Sequence, residues 1–286
     1  MTATIAQAAP RPTASARLRQ VPWDLFAALT ATAVFALAAL WPALLATQGP
    51  FAMDLANTLA PPSSAHWFGT DESGRDLYSR VIYGTAASLG VGIGAAAVSL
   101  TLAVILGSLA ALGNRPTAAA VGWLLEVAFA FPALLLSLLL IAVLGPSILT
   151  LILAVGIGTA PGYARMVRGQ ILSARGAPYV EAAVALGHSR GRILRQHILP
   201  NSLRPLVAVF ALSIGQSIVW ASSLSFLGLG IAPPAPEWGA LLDAGRGYIT
   251  VAGWLTVIPG LVIVLLALTT TTLGRHLQSI LEKGEK

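Results

Sequence analysis

The chain has 286 residues, 56% of them hydrophobic and only 10% charged, with a formal net charge of +6 and no cysteine. That balance lies outside the range of soluble globular domains, and the length accommodates several apolar spans of about 20 residues each. Absent cysteine excludes disulfides, thiolate zinc sites and a cysteine nucleophile. The basic residues sit in short stretches between apolar runs, with no soluble domain to present a basic face, which sets nucleic acid aside as a partner.

Residues 1–23 carry Arg11, Arg17 and Arg19 and, as a loose tail, precede an apolar run at 24–46 that is too long for a signal-peptide core. Gln48-Gly49-Pro50 makes a poor cleavage site, so this run reads as a retained first span. Five more runs follow at 83–112, 119–144, 147–168, 206–228 and 251–273. Together they predict an all-α polytopic membrane protein: six transmembrane helices over 24–275 and a short tail at 276–286. In the second run Gly90, Gly92, Gly94 and Gly107 form a small-residue face for close helix contact. The third and fourth runs are joined only by Gly145-Pro146-Ser147, as in a tight helical hairpin.

Between the runs, residues 47–82 hold Gly69-Thr70-Asp71-Glu72-Ser73-Gly74-Arg75-Asp76, where Thr70 or Asp71 is placed to cap a short helix. Residues 229–250 hold Pro233-Pro234 and Glu237-Trp238-Gly239, a rigid turn leading into a helix near Leu241 and Asp243. Trp67 and Trp238 are candidates for interfacial anchors. Fourteen of the seventeen Lys and Arg residues fall on one side of the membrane if the N-terminus is inside, and six of the eleven acidic residues fall on the other. By the positive-inside rule both termini are expected in the cytoplasm.

The most hydrophilic island is the loop at 169–205. Tyr179 to Leu186 can form two helical turns with Val180, Ala183 and Val184 on one face, and Gly187 interrupts them. Ser189 is placed to cap a second helix with Ile193, Leu194 and Ile198 on one side and Arg190, Arg192 and Arg195 around the other, ending at Pro200. Read from the residues alone, this is either a plug for a groove in another protein or a basic helix lying on anionic headgroups.

The core of that loop, Glu181-Ala182-Ala183, then Gly187, then Ile198-Leu199-Pro200, resembles the EAA loop of ABC-importer permeases. The resemblance extends to Tyr163-Ala164-Arg165-Met166-Val167-Arg168-Gly169, Phe131-Pro132, Phe68-Gly69-Thr70-Asp71, Gly74-Arg75-Asp76, Leu224 to Gly230 and Glu237-Trp238-Gly239. In order and spacing these are similar to the dipeptide/oligopeptide/nickel class, and specifically to its shorter, C-type subunit. The resemblance implies an inner-membrane permease that translocates peptides. Such a system also has a second homologous permease, two ATPase subunits and an extracytoplasmic solute-binding protein. It makes the loop the ATPase-coupling element, through Glu181, Ala182, Ala183, Gly187, Arg190, Arg192, Ile198, Leu199 and Pro200. It makes Asp71, Gly74, Arg75, Asp76, Glu237, Trp238 and Asp243 candidates for the outer gate or for contact with the binding protein. Nickel chelates, glutathione and sugars are the other substrates of the class.

The sequence contains no Walker lysine motif, so ATP and its magnesium are expected on the partner subunits and no cofactor on this chain. The histidines are scattered without metal-site spacing. A self-contained secondary transporter is the rival reading, and the near absence of ionisable residues in the runs counts against it. The exception is Glu126, a carboxylate in the third run that needs a partner or water. Two positions depart from the resembling class: Ala86, where an arginine is common, and Ala221, where a glutamate is common. Their joint loss suggests that the two face each other across the second and fifth runs; the alternative is that each charge touches substrate in the resembling class and that this transporter carries something different.

Overall fold

A computed structural model of the chain describes residues 23–283. The tail at 1–22 and the last three residues lie outside it. Twelve α-helices follow in order: α1 Trp23–Leu40, α2 Pro42–Leu45, α3 Leu77–Leu112, α4 Arg115–Ala130, α5 Ala133–Leu144, α6 Ile148–Arg175, α7 Pro178–Ala185, α8 Arg190–Ile193, α9 Leu199–Leu203, α10 Leu206–Leu224, α11 Trp238–Arg246 and α12 Trp254–Lys283. One isolated β-bridge, Thr70 to Asp76, lies among the described residues. Helix α12 continues through the boundary expected at 275.

The long helices begin where short polar side chains satisfy the free N–H groups of the first turn. Asp76 accepts from the Ser79 N–H at the start of α3, Asn114 from Thr117 before α4, and Ser147 from Thr150 before α6. Gly145, at φ +80, closes α5 and turns the chain into α6. The hairpin expected there is present: Ser137 of α5 donates to the Ala154 carbonyl of α6 at 2.8 Å.

Helices α3 and α6 form the centre of the bundle, and small residues let them approach. A Cβ on Gly107 would lie 2.7 Å from the Ala164 carbonyl oxygen, and one on Gly156 2.7 Å from Val98. Thr159 donates to Ser99 across the same interface at 2.9 Å. Gly92 admits Ile218 of α10, and Gly215 of α10 admits Thr270 of α12. The small-residue face expected on α3 holds for Gly92, Gly94 and Gly107; Gly90 faces open space. Asp24, at the start of α1, meets His276 in the last third of α12 at 2.9 Å. The first and last spans therefore begin and finish at the same end of the bundle.

The third run differs from expectation. Phe131-Pro132 splits it into α4 and α5, whose axes differ by 92°. Proline lacks an N–H and pushes the preceding residue to extended geometry, and Phe131 is extended at φ −83, ψ 133. Five helices are long and apolar enough to cross a membrane, and the bent pair makes a sixth when counted as one span. Glu126 belongs to the α4 limb. It is exposed there, without a hydrogen-bond or ion-pair partner among the described residues.

Candidate functional site

The two ends of the bundle are built differently. At one end, residues 176–205 form the EAA-like loop. Pro178 starts α7, which needs no N–H at that position, and Glu181 lies in its first turn. The helix closes in a Schellman motif: His188 N–H donates to the Ala183 carbonyl at 3.1 Å, and Gly187 N–H to the Val184 carbonyl at 3.0 Å. That geometry needs a left-handed residue, and Gly187 sits at φ +73. Ser189 then caps α8, accepting from Arg192 N–H at 3.4 Å.

Pro200 was expected to stop the second helix. Instead the chain widens into a π-turn at Leu194–Ile198, where Leu199 N–H reaches the Leu194 carbonyl. Widening the turn accommodates the N–H that Pro200 lacks, and helix continues to Leu203.

Val180, Ala183, Ile193 and Ile198 are buried in one apolar cluster with Ala103, Ala164, Val167 and Ile171. They anchor the loop onto α3 and α6, so Ala183 and Ile198 support the surface from below and do not form it. Of the three residues expected on one face, Val180 and Ala183 are buried while Val184 is 60% exposed; Leu186 is 75% exposed. The exposed surface of the loop is Tyr179, Glu181, Ala182, Val184 and Leu186, beside the exposed Arg190, Arg192 and Arg195; Leu199 is half-buried and Pro200 exposed at its far edge. The exposed Val184 and Leu186 thus lie a few residues from three exposed arginines.

The opposite end is a buried polar lock. Asp71 accepts from the N–H groups of Ser73 and Arg75 through one oxygen. Its other oxygen accepts from Arg75 Nε at 2.7 Å and from Arg80 Nη1. Arg75 also donates to Glu72 at 2.9 Å, and Arg80 to the Pro234 carbonyl at 3.2 Å. Asp76 caps α3, receives Thr47 and pairs with His66 Nδ1 at 3.1 Å. The helix expected near Asp71 is absent, because its carboxylate bonds its own loop in place of a helix start. Gly74, at φ +73, packs where a Cβ would meet the Asp54 carbonyl oxygen at 1.8 Å.

Glu237 caps α11, accepting from Gly239 and Ala240 N–H at 2.9 Å each, with Ser88 at 3.4 Å. Burial pushes its carboxyl above the ordinary carboxylate range, against the opposing pull of those two N–H donors. Trp238 is fully buried, its indole donating to the Val81 carbonyl at 2.9 Å, so it is a core residue and not an interfacial anchor. Asp71, Gly74, Arg75, Asp76, Glu237 and Trp238 are all buried and hold this end together; they do not present side chains for contact. Asp243 is half-buried beside Arg246 at 3.1 Å. This end exposes apolar side chains, Phe51, Met53, Leu55, Trp67, Ile249 and Val251, among exposed polar ones that include Asp54, Asn57, Ser63 and Arg246.

The sequence profile of the binding-protein-dependent transport system inner membrane component family matches residues 103–283. The chain belongs to that family. A probable D,D-dipeptide transport system permease of Escherichia coli (strain K12) is 40% identical over 83% of this chain and 80% of its own length. A dipeptide transport system permease of Alkalihalophilus pseudofirmus is 37% identical over 88% and 83%. A glutathione transport system permease of Pectobacterium atrosepticum is 40% identical over 77% and 73%. Among solved structures, an amino acid ABC transporter matches with a TM-score of 0.59 at 16% identity, over 70% of this chain and 93% of that one. The inward-facing MetNI methionine ABC transporter matches at 0.54 and 19%, over 69% and 96%. Identities this low show the fold alone. This binding-protein-dependent permease is thus a multi-pass transport subunit of the ABC-importer dipeptide/oligopeptide class.

Proposed function

We propose that the chain carries di- or oligopeptides across the cytoplasmic membrane as one of two permeases, driven by ATP bound with magnesium on two separate ATPase subunits. The observation that carries the coupling half of this reading is the exposed Tyr179–Leu186 face beside Arg190, Arg192 and Arg195, held rigidly on α3 and α6 by its buried side. A rigid projection transmits motion between subunits without chemistry of its own. Lysine and arginine bias puts this end in the cytoplasm, with both termini, and the Asp71 end outside, where a solute-binding protein delivers the peptide. There the exposed apolar residues from Phe51 to Trp67 are the contact candidates, and the buried polar lock keeps them in place. The peptide assignment draws on relatives named for dipeptide and glutathione transport, glutathione itself being a modified tripeptide.

Single cysteines test the orientation: Ser63→Cys should react with an impermeant thiol reagent in intact cells and Ser189→Cys should not. Both positions are exposed, so accessibility within the fold does not confuse the result. Co-purification of an ATPase that is lost on Glu181→Lys with Leu186→Asp supports the coupling face. Retention of the ATPase makes the loop a lipid-surface helix.

A further inference from the structure

A recess of about 700 Å³ opens on the side of the bundle where the α4–α5 break meets α6 and α10. Its walls are aromatic, with Phe129, Phe131, Tyr163 and Trp220, and they enclose one polar pair: Tyr163 donates to Gln216 Oε1 at 2.8 Å. Arg165, itself exposed, stacks on the wall residue Phe129 with its guanidinium carbon 4.1 Å from the ring centre, which brings a cation next to the recess wall.

Depth makes this arrangement informative. Tyr163 lies fifteen residues into α6 and Gln216 ten into α10, about 23 Å and 15 Å along their axes. Both are therefore well inside a hydrocarbon layer of about 30 Å. Gln216 is nevertheless exposed on the fold. A carboxamide facing lipid at that depth is costly, so this side of α10 meets water or a polar guest. The backbone gives a second, independent sign. The Phe131-Pro132 break interrupts helix in the recess wall, and Pro161, also in the wall, has no N–H for the Ile157 carbonyl. Irregular backbone at membrane depth is tolerated where it is buried in protein or lines a wet cavity.

We propose that this recess is the peptide-contact surface that this chain contributes to the translocation path. The inference rests on the peptide reading above and deepens it. The chemistry matches a short zwitterionic peptide in three parts. Aromatic faces take an apolar side chain, the Tyr163–Gln216 pair takes a main-chain amide, and Arg165 takes a terminal carboxylate. The volume falls within the range of small-ligand sites, roughly 300–1,000 Å³.

The test uses the whole transporter reconstituted in proteoliposomes with an isotopically labelled mixture of di- and tripeptides. Gln216→Leu should lower uptake about tenfold, the loss expected when a main-chain amide of the bound peptide loses its hydrogen-bond partner. Trp220→Ala should reduce uptake of peptides with bulky apolar side chains more than uptake of Gly-Gly. A merely structural defect would lower all peptides alike and overturn the assignment. In parallel, benzoylphenylalanine at Trp220 should photo-crosslink labelled peptide during turnover, and the same group at Val264, exposed on α12, should not. Equal labelling at both positions, or capture at Trp220 of the second permease in place of peptide, also overturns it. Failure of the wild-type complex to take up any peptide in the mixture removes the peptide reading and this inference together. Normal uptake with an unchanged peptide spectrum in both variants removes the recess alone.

Discussion

Arg80, one turn into α3, donates to the carbonyl of Pro234, 154 residues later in the chain, at 3.2 Å, while its other terminal nitrogen bonds Asp71. One guanidinium thus ties the loop at 66–76, the longest helix and the proline turn before α11 into a single unit. Asp71 is the hub, since Arg75 and Arg80 share one of its oxygens. Removing one member of a buried ion group costs about 3–5 kcal/mol because the others are left uncompensated. Asp71→Ala, which takes the shared carboxylate from both arginines and leaves Arg80 without a carboxylate partner, should therefore lower the melting midpoint in detergent more than Arg80→Ala, which leaves Asp71 paired to Arg75. Equal midpoints would show that the pairing is solvated and of little weight.

Glu237 gives a pH signature. Its carboxyl is raised above the ordinary value of 4.5 by burial, so the folded chain holds a proton that the unfolded chain has lost. Stability from this group is full below about pH 4.5 and falls as pH rises through the folded value. Glu237→Gln keeps an oxygen to accept from Gly239 or Ala240 and carries no charge to bury. Melting followed upward from pH 4.5 should fall more steeply for the wild type than for the variant. Parallel curves would mean that the N–H donors fully offset the burial.

Span count, loop positions and the family motifs were legible because they depend on local pattern: apolar length, proline and glycine placement, and the cap at Ser189. The Schellman turn at Gly187 belongs to this class. What pattern did not reveal was direction. Asp71, Arg75 and Glu237 are polar and lie between spans, which reads as exposed, yet all three are buried: Asp71 and Arg75 pair with each other, and Glu237 folds back onto the N–H groups at the start of its own helix. Trp238 reads as an interfacial ring, but the fully buried pocket beneath α3 takes it. Val184 parts from Val180 and Ala183 because two helical turns allow a narrower apolar face than the count of three suggests, and packing on α3 and α6 takes only Val180 and Ala183. The recess at Tyr163 and Gln216 joins residues 53 apart in sequence, beyond the reach of any spacing argument.

Gly187 isolates backbone conformation from packing. A Cβ there meets nothing within 4 Å, so substitution strains the φ of +73 without a clash. Left-handed geometry costs a non-glycine residue about 1–2 kcal/mol, and asparagine tolerates it better than most. Gly187→Val should insert at normal levels and lose most stimulation of the ATPase, while Gly187→Asn should keep much of it. Equal loss in both would point to direct contact at Gly187 in place of turn geometry.

Ala86 and Ala221 were expected to face each other as the remnant of a lost charge pair, and the structure separates them. Ala221 is buried with Val91 and Ala95 of α3. Ala86 lies nine residues before Ala95, a rotation of about 180° at 100° per residue, and is exposed on the far side of α3 with Gly90, Ile93 and Ala97. A charge on each should therefore act alone. Ala221→Glu places a carboxylate in an apolar cluster without a counter-charge and should sharply reduce folded protein. Ala86→Arg should leave the fold intact, since its side chain points away from the bundle, and any loss should appear in assembly with the second permease or in uptake. In the double variant the two losses should simply add, because sites that do not touch are additive within about 0.5 kcal/mol. Protein level and melting midpoint of the three variants give the answer. Recovery in the double variant above the level of Ala221→Glu would show that the two side chains meet after all, through a rearrangement of α3 or across a subunit boundary.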